Sequence, residues 1–287
     1  MPPPSSGSGT TTRARLWLVG ALAILAFAAN SLLARAALGD GAIGPGAYAA
    51  IRLGAGALVL APLWRSASIR RDGAAGLFLA TYAIAFSFAY VTLGAASGAL
   101  ILFATVQGVM VALGLARGEK VRASALVGVL VALAGVGWLL APGVGAVDAR
   151  AALVMGIAGL GWGLYSLVCH KGEGEAAAAT AGAFAVAAVA ALPLFLLGER
   201  MSVNGALLAA VSGAVTSGLG YVAWRMVAPR MSLTGVAGVQ LLTPAAAGLL
   251  AWPLLGEVPG TRLTLAGLVI LGGVALAMRA PLSQLKR

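Results

Sequence analysis

Ten stretches of the chain are apolar almost without interruption, at about 16–38, 46–64, 74–93, 97–116, 123–141, 150–170, 176–197, 205–227, 233–255 and 263–280. Each is long enough to cross the roughly 30 Å hydrocarbon core of a bilayer. None alternates apolar and polar residues with the period a polar barrel lumen would impose. Because backbone polar groups must pair internally in lipid, the spans are helices. The pattern predicts an all-α integral membrane protein with ten transmembrane helices. Residues 1–15, rich in Pro, Ser, Gly and Thr, predict a disordered cytoplasmic tail, and 281–287 a second short tail. The first run exceeds the roughly 7–15 apolar residues of a signal peptide, so it reads as a retained helix.

The runs fall into two sets. One constant offset carries Thr105 onto Thr243, Gly118-Glu119 onto Gly256-Glu257 and Gly135 onto Gly273, with similar apolar sequence around each. Self-similarity at a fixed offset points to an internal duplication. With a small change of offset, Asn30-Ser31-Leu32-Leu33-Ala34-Arg35 resembles Tyr165-Ser166-Leu167-Val168-Cys169-His170, which sets Phe27 opposite Trp162. The repeats are residues 16–141 and 150–280, five spans each.

Charge then sets orientation. Of the 19 Lys and Arg residues, only Arg35, Arg150, Arg200 and Arg262 fall on the side opposite the N-terminus, and Arg52 lies within the second run. The remainder mark the N-terminal side as cytoplasmic, so both termini face the cytoplasm. An odd number of spans per repeat inverts the second repeat relative to the first. Inverted repeats around a midplane site are a construction of secondary transporters. Composition agrees: 61% of residues are hydrophobic and 9% charged, far from a soluble domain. The net charge of +11 belongs to span ends, so no nucleic-acid partner is expected. The single cysteine, Cys169, excludes an internal disulfide and cysteine metal clusters.

These features resemble the ten-helix branch of the drug/metabolite transporter superfamily, with two EamA-type repeats over about 16–280. The resemblance is carried by Arg52 in Ala49-Ala50-Ile51-Arg52-Leu53 and by the two Gly-Glu pairs. The small-residue runs containing Gly135 and Gly273, and Trp162-Gly163-Leu164-Tyr165, complete it. Within the superfamily the chain is most similar to bacterial inner-membrane exporters of aromatic and other neutral amino acids, the YddG type. It departs from many relatives in having Phe27 where they have Trp, and in having no arginine in the seventh run to match Arg52. The resemblance implies a multi-pass protein of the bacterial cytoplasmic membrane that exports small amphipathic metabolites by alternating access.

The eight acidic residues all lie in or beside loops. Proton carriers and cation partners are usually intramembrane acids, so a cation/proton antiporter is disfavoured, and the drive is the substrate gradient or a loosely coupled ion. No nucleophile-base pair, metal cluster or nucleotide loop occurs, so neither an enzyme nor a cofactor is expected. Gly39-Asp40-Gly41-Ala42-Ile43-Gly44 follows no strand and is dismissed as a nucleotide site.

Helical spacing suggests a cavity for a neutral or zwitterionic solute. Tyr82, Phe86 and Tyr90 share one face of the third run; Ser217, Tyr221 and Trp224 do so in the eighth; Trp162, Tyr165 and Cys169 in the sixth. Asn30 and Ser31, Gln107, Gln240 and Thr243 add polar groups, although Thr105 and Gln107 point about 200° apart on one helix. The alternative is that the rings pack between helices or form an interfacial belt. Arg52 could attract a carboxylate, but the expectation is a peripheral second helix, with Arg52 pairing to a loop acid or carbonyl or snorkelling outward. His170 reads as a helix-end residue or a proton relay. Pro244, in the middle of the ninth run, is a candidate hinge. Gly94-xxx-Gly98 and Gly159-xxx-Gly163 suit close helix contacts within or between subunits, leaving the oligomeric state open with a monomer plausible. Rivals are a sugar-phosphate or nucleotide-sugar exchanger, for which Arg52 and Arg225 are the candidate cavity cations, and, from other classes, a membrane enzyme or structural scaffold.

Overall fold

The structure is a computed structural model that describes residues 7–66, 68–116, 118, 121–171, 176–227, 240 and 242–278. Among these residues it is helical, with one isolated antiparallel bridge, Ile43 to Met201, and no strand. In chain order the helices are α1 (Gly7–Leu38), α2 (Pro45–Val59), α3 (Ile69–Tyr90), α4 (Ala95–Ala116), α5 (Ala123–Leu140), α6 (Ala149–Lys171) and α7 (Ala176–Ala191). They continue with α8 (Val203–Val211), a π-helical stretch Ser212–Leu219, α9 (Gly220–Val227), α10 (Leu242–Leu255) and α11 (Thr261–Met278). Among the described residues seven segments are long and apolar enough to cross a membrane, α8 through α9 counting as one, and α10 and α11 are shorter apolar helices. The protein is a multi-pass integral membrane protein.

Local chemistry explains several boundaries. Pro45 opens α2, where its missing N–H is no loss. α2 gives way to a 3-10 turn, Ala61–Ser66, that contains Pro62, and α7 to another, Leu192–Leu197, with Pro193 near its start. A proline cannot donate to the preceding turn, which ends the α ladder at both places. α1 begins at Gly7, inside the stretch expected to be a disordered tail. Glu119, residues 228–239 and 281–287 lie outside the described residues, as do the side chains of Cys169 and His170.

The dominant packing is between helices before residue 141 and helices after 149. α5 lies on α11, α3 on α6 and α7, α4 on α6, and α2 on α7 and the π-helical stretch. Small residues permit this: Gly128 and Ala132 of α5 face Gly273 and Ala277 of α11 with backbones nearly touching. Gly159 and Gly163 face Thr105 and Val109 of α4, while Gly98 sits under the Tyr90 ring. These two glycine pairs therefore serve contacts within one chain.

Candidate functional site

The centre of the molecule is organised by Arg52 of α2. Its side chain is only 1% exposed. α2 can bring it there because Gly213, at the start of the π-helical stretch, lies against the backbone of Arg52 itself, where a Cβ would collide with the carbonyl. The guanidinium donates from Nε to Ser217 Oγ at 3.0 Å and from Nη2 to the hydroxyls of Tyr82 and Tyr221, each at 3.1 Å. Its Cζ lies 4.7 Å from the Phe86 ring centroid and 5.1 Å from that of Tyr82, within range of cation–π attraction. Nη1 has no hydrogen-bond partner among the described residues. The expectation of a peripheral arginine is corrected: α2 is an inner helix, and Arg52 meets hydroxyls and ring faces in place of a loop acid.

Asn30 of α1 extends the network. Its Nδ2 donates to Tyr82 Oη at 3.2 Å, and its Oδ1 accepts from Ser212 Oγ at 2.5 Å and Thr216 Oγ1 at 3.3 Å. Ser212, Thr216 and Ser217 all belong to the π-helical stretch, whose wider turn places three hydroxyls on one side of the span. Such π insertions occur frequently at functional sites.

Around these groups the aromatic rings form one cluster. Phe27 sits within it, edge-on to Trp162 and Tyr221, each at 5.6 Å between centroids, and to Trp224 at 5.7 Å. Trp162 also meets Tyr221 at 4.9 Å, Tyr82 at 5.1 Å and Tyr165 at 5.4 Å. Phe184 of α7 adds a ring 5.7 Å from Tyr221. Phe27, Asn30, Ser31, Tyr82, Phe86, Leu102, Phe103, Trp162 and Tyr221 enclose a cavity of about 10 Å³, room for roughly one water. A solute the size of an amino acid can be admitted only when the helices part.

The other expected residues distribute as follows. Tyr90 is buried but off this cavity; it meets Phe86 edge-on at 4.6 Å and its hydroxyl donates to the Ala95 carbonyl at 3.3 Å. Tyr165 and Trp224 are buried on the rim of the ring cluster. Gln107 is half-buried on α4 and does not reach the cavity. Gln240 and Thr243 are buried near the start of α10, and Pro244, expected as a mid-run hinge, is the third residue of that helix, with 228–239 and 241 outside the described residues. Ser217 was named from the sequence with Tyr221 and Trp224, whereas Phe27, Phe184, Ser212 and Thr216 were not named as lining, and Arg52 was weighed as a carboxylate partner but expected at the periphery.

A second polar region closes one end of the bundle. Arg35 Nε donates to Glu257 Oε1 at 2.7 Å, while Glu257 Oε2 accepts from the Ala95 amide at 2.8 Å, at the start of α4. Arg35 Nη1 also donates to the Val91 carbonyl at 3.2 Å. Glu199 repeats the device on α2, accepting from the Ala47 amide at 2.9 Å. A carboxylate at a helix N-terminus satisfies an orphan N–H and meets the positive end of the dipole. Both glutamates follow a glycine with left-handed backbone, Gly198 at φ +60 and Gly256 at φ +68, a conformation costly for other residues. Backbone pairing of 42–44 with 200–202 and the contacts from Arg262 to the carbonyls of Trp138 and Ala141 complete the closure.

The chain matches known proteins at three levels. The profile of the EamA-like transporter family matches residues 149–279. An uncharacterized protein of Pseudomonas aeruginosa is 45% identical over 282 residues, covering 95% of this chain and 98% of that protein. A crystal structure of a protein 22% identical to this one superposes with a TM-score of 0.63 over 92% of this chain and 97% of that one, which establishes a shared fold. The second half of the chain thus matches the EamA-like transporter family, and the chain along nearly its whole length is similar to the Pseudomonas aeruginosa protein.

Proposed function

We propose that this transporter exports small amphipathic metabolites, amino acids including aromatic ones, across the bacterial cytoplasmic membrane by alternating access. One observation carries the reading: a ring-lined centre, buried inside the spans and holding hydroxyls, an amide and a guanidinium, encloses a cavity too small for a solute until the helices move. Rings suit the apolar part of such a solute and the donors its polar end. The residues proposed to touch it are Phe27, Asn30, Ser31, Tyr82, Phe86, Trp162 and Tyr221, with Tyr165 and Trp224 behind them.

The architecture we propose is ten spans in two inverted five-helix repeats, with both termini cytoplasmic. Several features support it. Phe27 and Trp162, which the repeat alignment sets opposite one another, meet edge-on, as counterparts near a pseudo-two-fold axis would. Gly118 and Gly256, also counterparts, both take positive φ, +73 and +68. α2 and α7 both end in a proline-containing 3-10 turn. Because the strongest packing joins helices of one repeat to helices of the other, the bodies that move each contain helices from both. In this orientation the Arg35–Glu257 end is periplasmic and closed.

The test is counterflow of labelled phenylalanine, tryptophan and threonine in liposomes reconstituted with folded protein. Uptake of at least one, abolished by Trp162→Ala, is the expected result. No movement of any neutral amino acid by protein that remains monodisperse contradicts the substrate assignment.

A further inference from the structure

We infer that the ring-lined centre selects its solute by a carboxylate and makes no use of an ammonium group; the inference rests on the transport reading above and specifies which half of an amino acid the site recognises. The polar equipment at the centre is one-sided. Asn30 Oδ1 is occupied by the hydroxyls of Ser212 and Thr216, so the amide turns its NH2 inward. Tyr82 Oη already accepts from Asn30 and from Arg52, and a hydrogen bond joins the Tyr82 and Tyr221 hydroxyls, so one proton of that pair is left over. Tyr221 Oη likewise accepts from Arg52. Trp162 Nε1, a donor only, is buried at 3% exposure with no partner, on a ring that forms part of the cavity wall. Arg52 Nη1 is a second orphan donor.

The unspent capacity is thus donors, and they lie around a positive charge. Among the described residues the one ion pair is Arg35–Glu257; Arg52 has no carboxylate beside it. A buried cation without a counter-ion is costly, and an opposite charge from outside recovers part of that cost. A solute carboxylate would accept from the Trp162 N–H and from the remaining proton of the Tyr82–Tyr221 hydroxyl pair, a better donor because both oxygens already accept from a guanidinium. Arg52 acts through those hydroxyls and is a positioning residue. An ammonium group would meet a like charge and find few free acceptors; ring faces alone offer it about 0.5–2 kcal/mol.

The experiment uses the full chain in detergent or liposomes and three probes that share one phenyl ring: phenylalanine, 3-phenylpropionate and phenethylamine. Binding by thermal shift and isothermal titration is measured beside competition for counterflow. The expected order places 3-phenylpropionate level with phenylalanine and phenethylamine about tenfold weaker or more, the factor that one lost charge-assisted interaction gives. Arg52→Lys keeps that order and Arg52→Gln removes it. Trp162→Phe, which keeps an aromatic ring but removes the orphan N–H with part of the indole, weakens 3-phenylpropionate several-fold more than it weakens phenethylamine. Phenethylamine binding as tightly as 3-phenylpropionate overturns the inference. So does discrimination that survives Arg52→Gln unaltered, or phenyl phosphate displacing both carboxylates. If 3-phenylpropionate binds but no amino acid moves, the amino-acid assignment fails while the carboxylate inference stands; if phenylalanine moves and phenethylamine competes best, the reverse holds.

Discussion

Arg35 and Arg52 belong to consecutive helices, yet the structure treats them oppositely. Arg35, near one end of the bundle, meets Glu257 at 2.7 Å with the two side chains 26% and 24% exposed. Arg52, deep among the helices, meets three hydroxyls and two ring faces and no acid. The first arrangement is self-sufficient: charge cancels charge, the spare carboxylate oxygen caps α4, and the guanidinium ties to the Val91 carbonyl. The second is incomplete, because hydroxyls solvate a cation without neutralising it. A pair that is complete without a ligand holds a conformation, and a charge that is incomplete without one is available to a solute.

The largest effect expected is on the scaffold that puts Arg52 where it is. Gly213→Val forces α2 away from the π-helical stretch, separates Arg52 from Ser217, and costs about 3 kcal/mol or more by overpacking. Fluorescence-detected size exclusion should show little monodisperse protein, and a well-folded variant would mean the close approach is not required.

Replacing the two arginines separates their roles. Arg52→Met should lower transport by about a hundredfold, the range for truncating one partner of a buried charge pair. Its Tm should change little or rise, because a desolvated charge is removed. Arg35→Met should do the opposite, retaining measurable transport while lowering stability. If Arg52→Met proves the more destabilised of the two and transports normally, their roles have been exchanged.

Glu257→Gln leaves an acceptor for the Ala95 amide but removes the ion pair. The side chains are part-exposed, so the loss is about 1 kcal/mol, enough to shift an open-closed equilibrium by roughly fivefold. A cysteine at Ser31, in a Cys169→Ser background, should then react faster with an impermeant maleimide added from the Arg35 side. An unchanged rate would remove Glu257 from the closure. Glu199→Gln, which touches one amide and no arginine, should change the same rate by less than about twofold, consistent with a helix-dipole contribution of a few tenths of a kcal/mol.

Much of the fold was legible because lipid leaves so few options. Each apolar run had to be a helix, and the predicted edges of α4, α5 and α6 fall within about two residues of those observed. Asn30, Tyr82, Phe86, Trp162 and Tyr221 could be named because polar or aromatic groups at helical spacing have few places to go inside a span, and the structure brings these five together. Arg52 was named and misplaced. Its sequence neighbours are all apolar, so nothing beside it hinted at a partner, and the groups that receive it come from α3 and from a stretch some 165 residues away. The π-helical stretch has no local signature, since its small residues read equally well as α-helix. Gln107 stands off the enclosed cavity for a simpler reason: an amide in a span needs a partner, but periodicity alone does not say which neighbour supplies it.

Labelling inside the ring cluster would decide whether a solute passes through this centre. In a Cys169→Ser background, Phe27→Cys in reconstituted liposomes should react slowly with a small thiol reagent, and more slowly still when a transported solute is present at saturation. A rate that the solute leaves unchanged, in protein that still transports it, would place the pathway elsewhere.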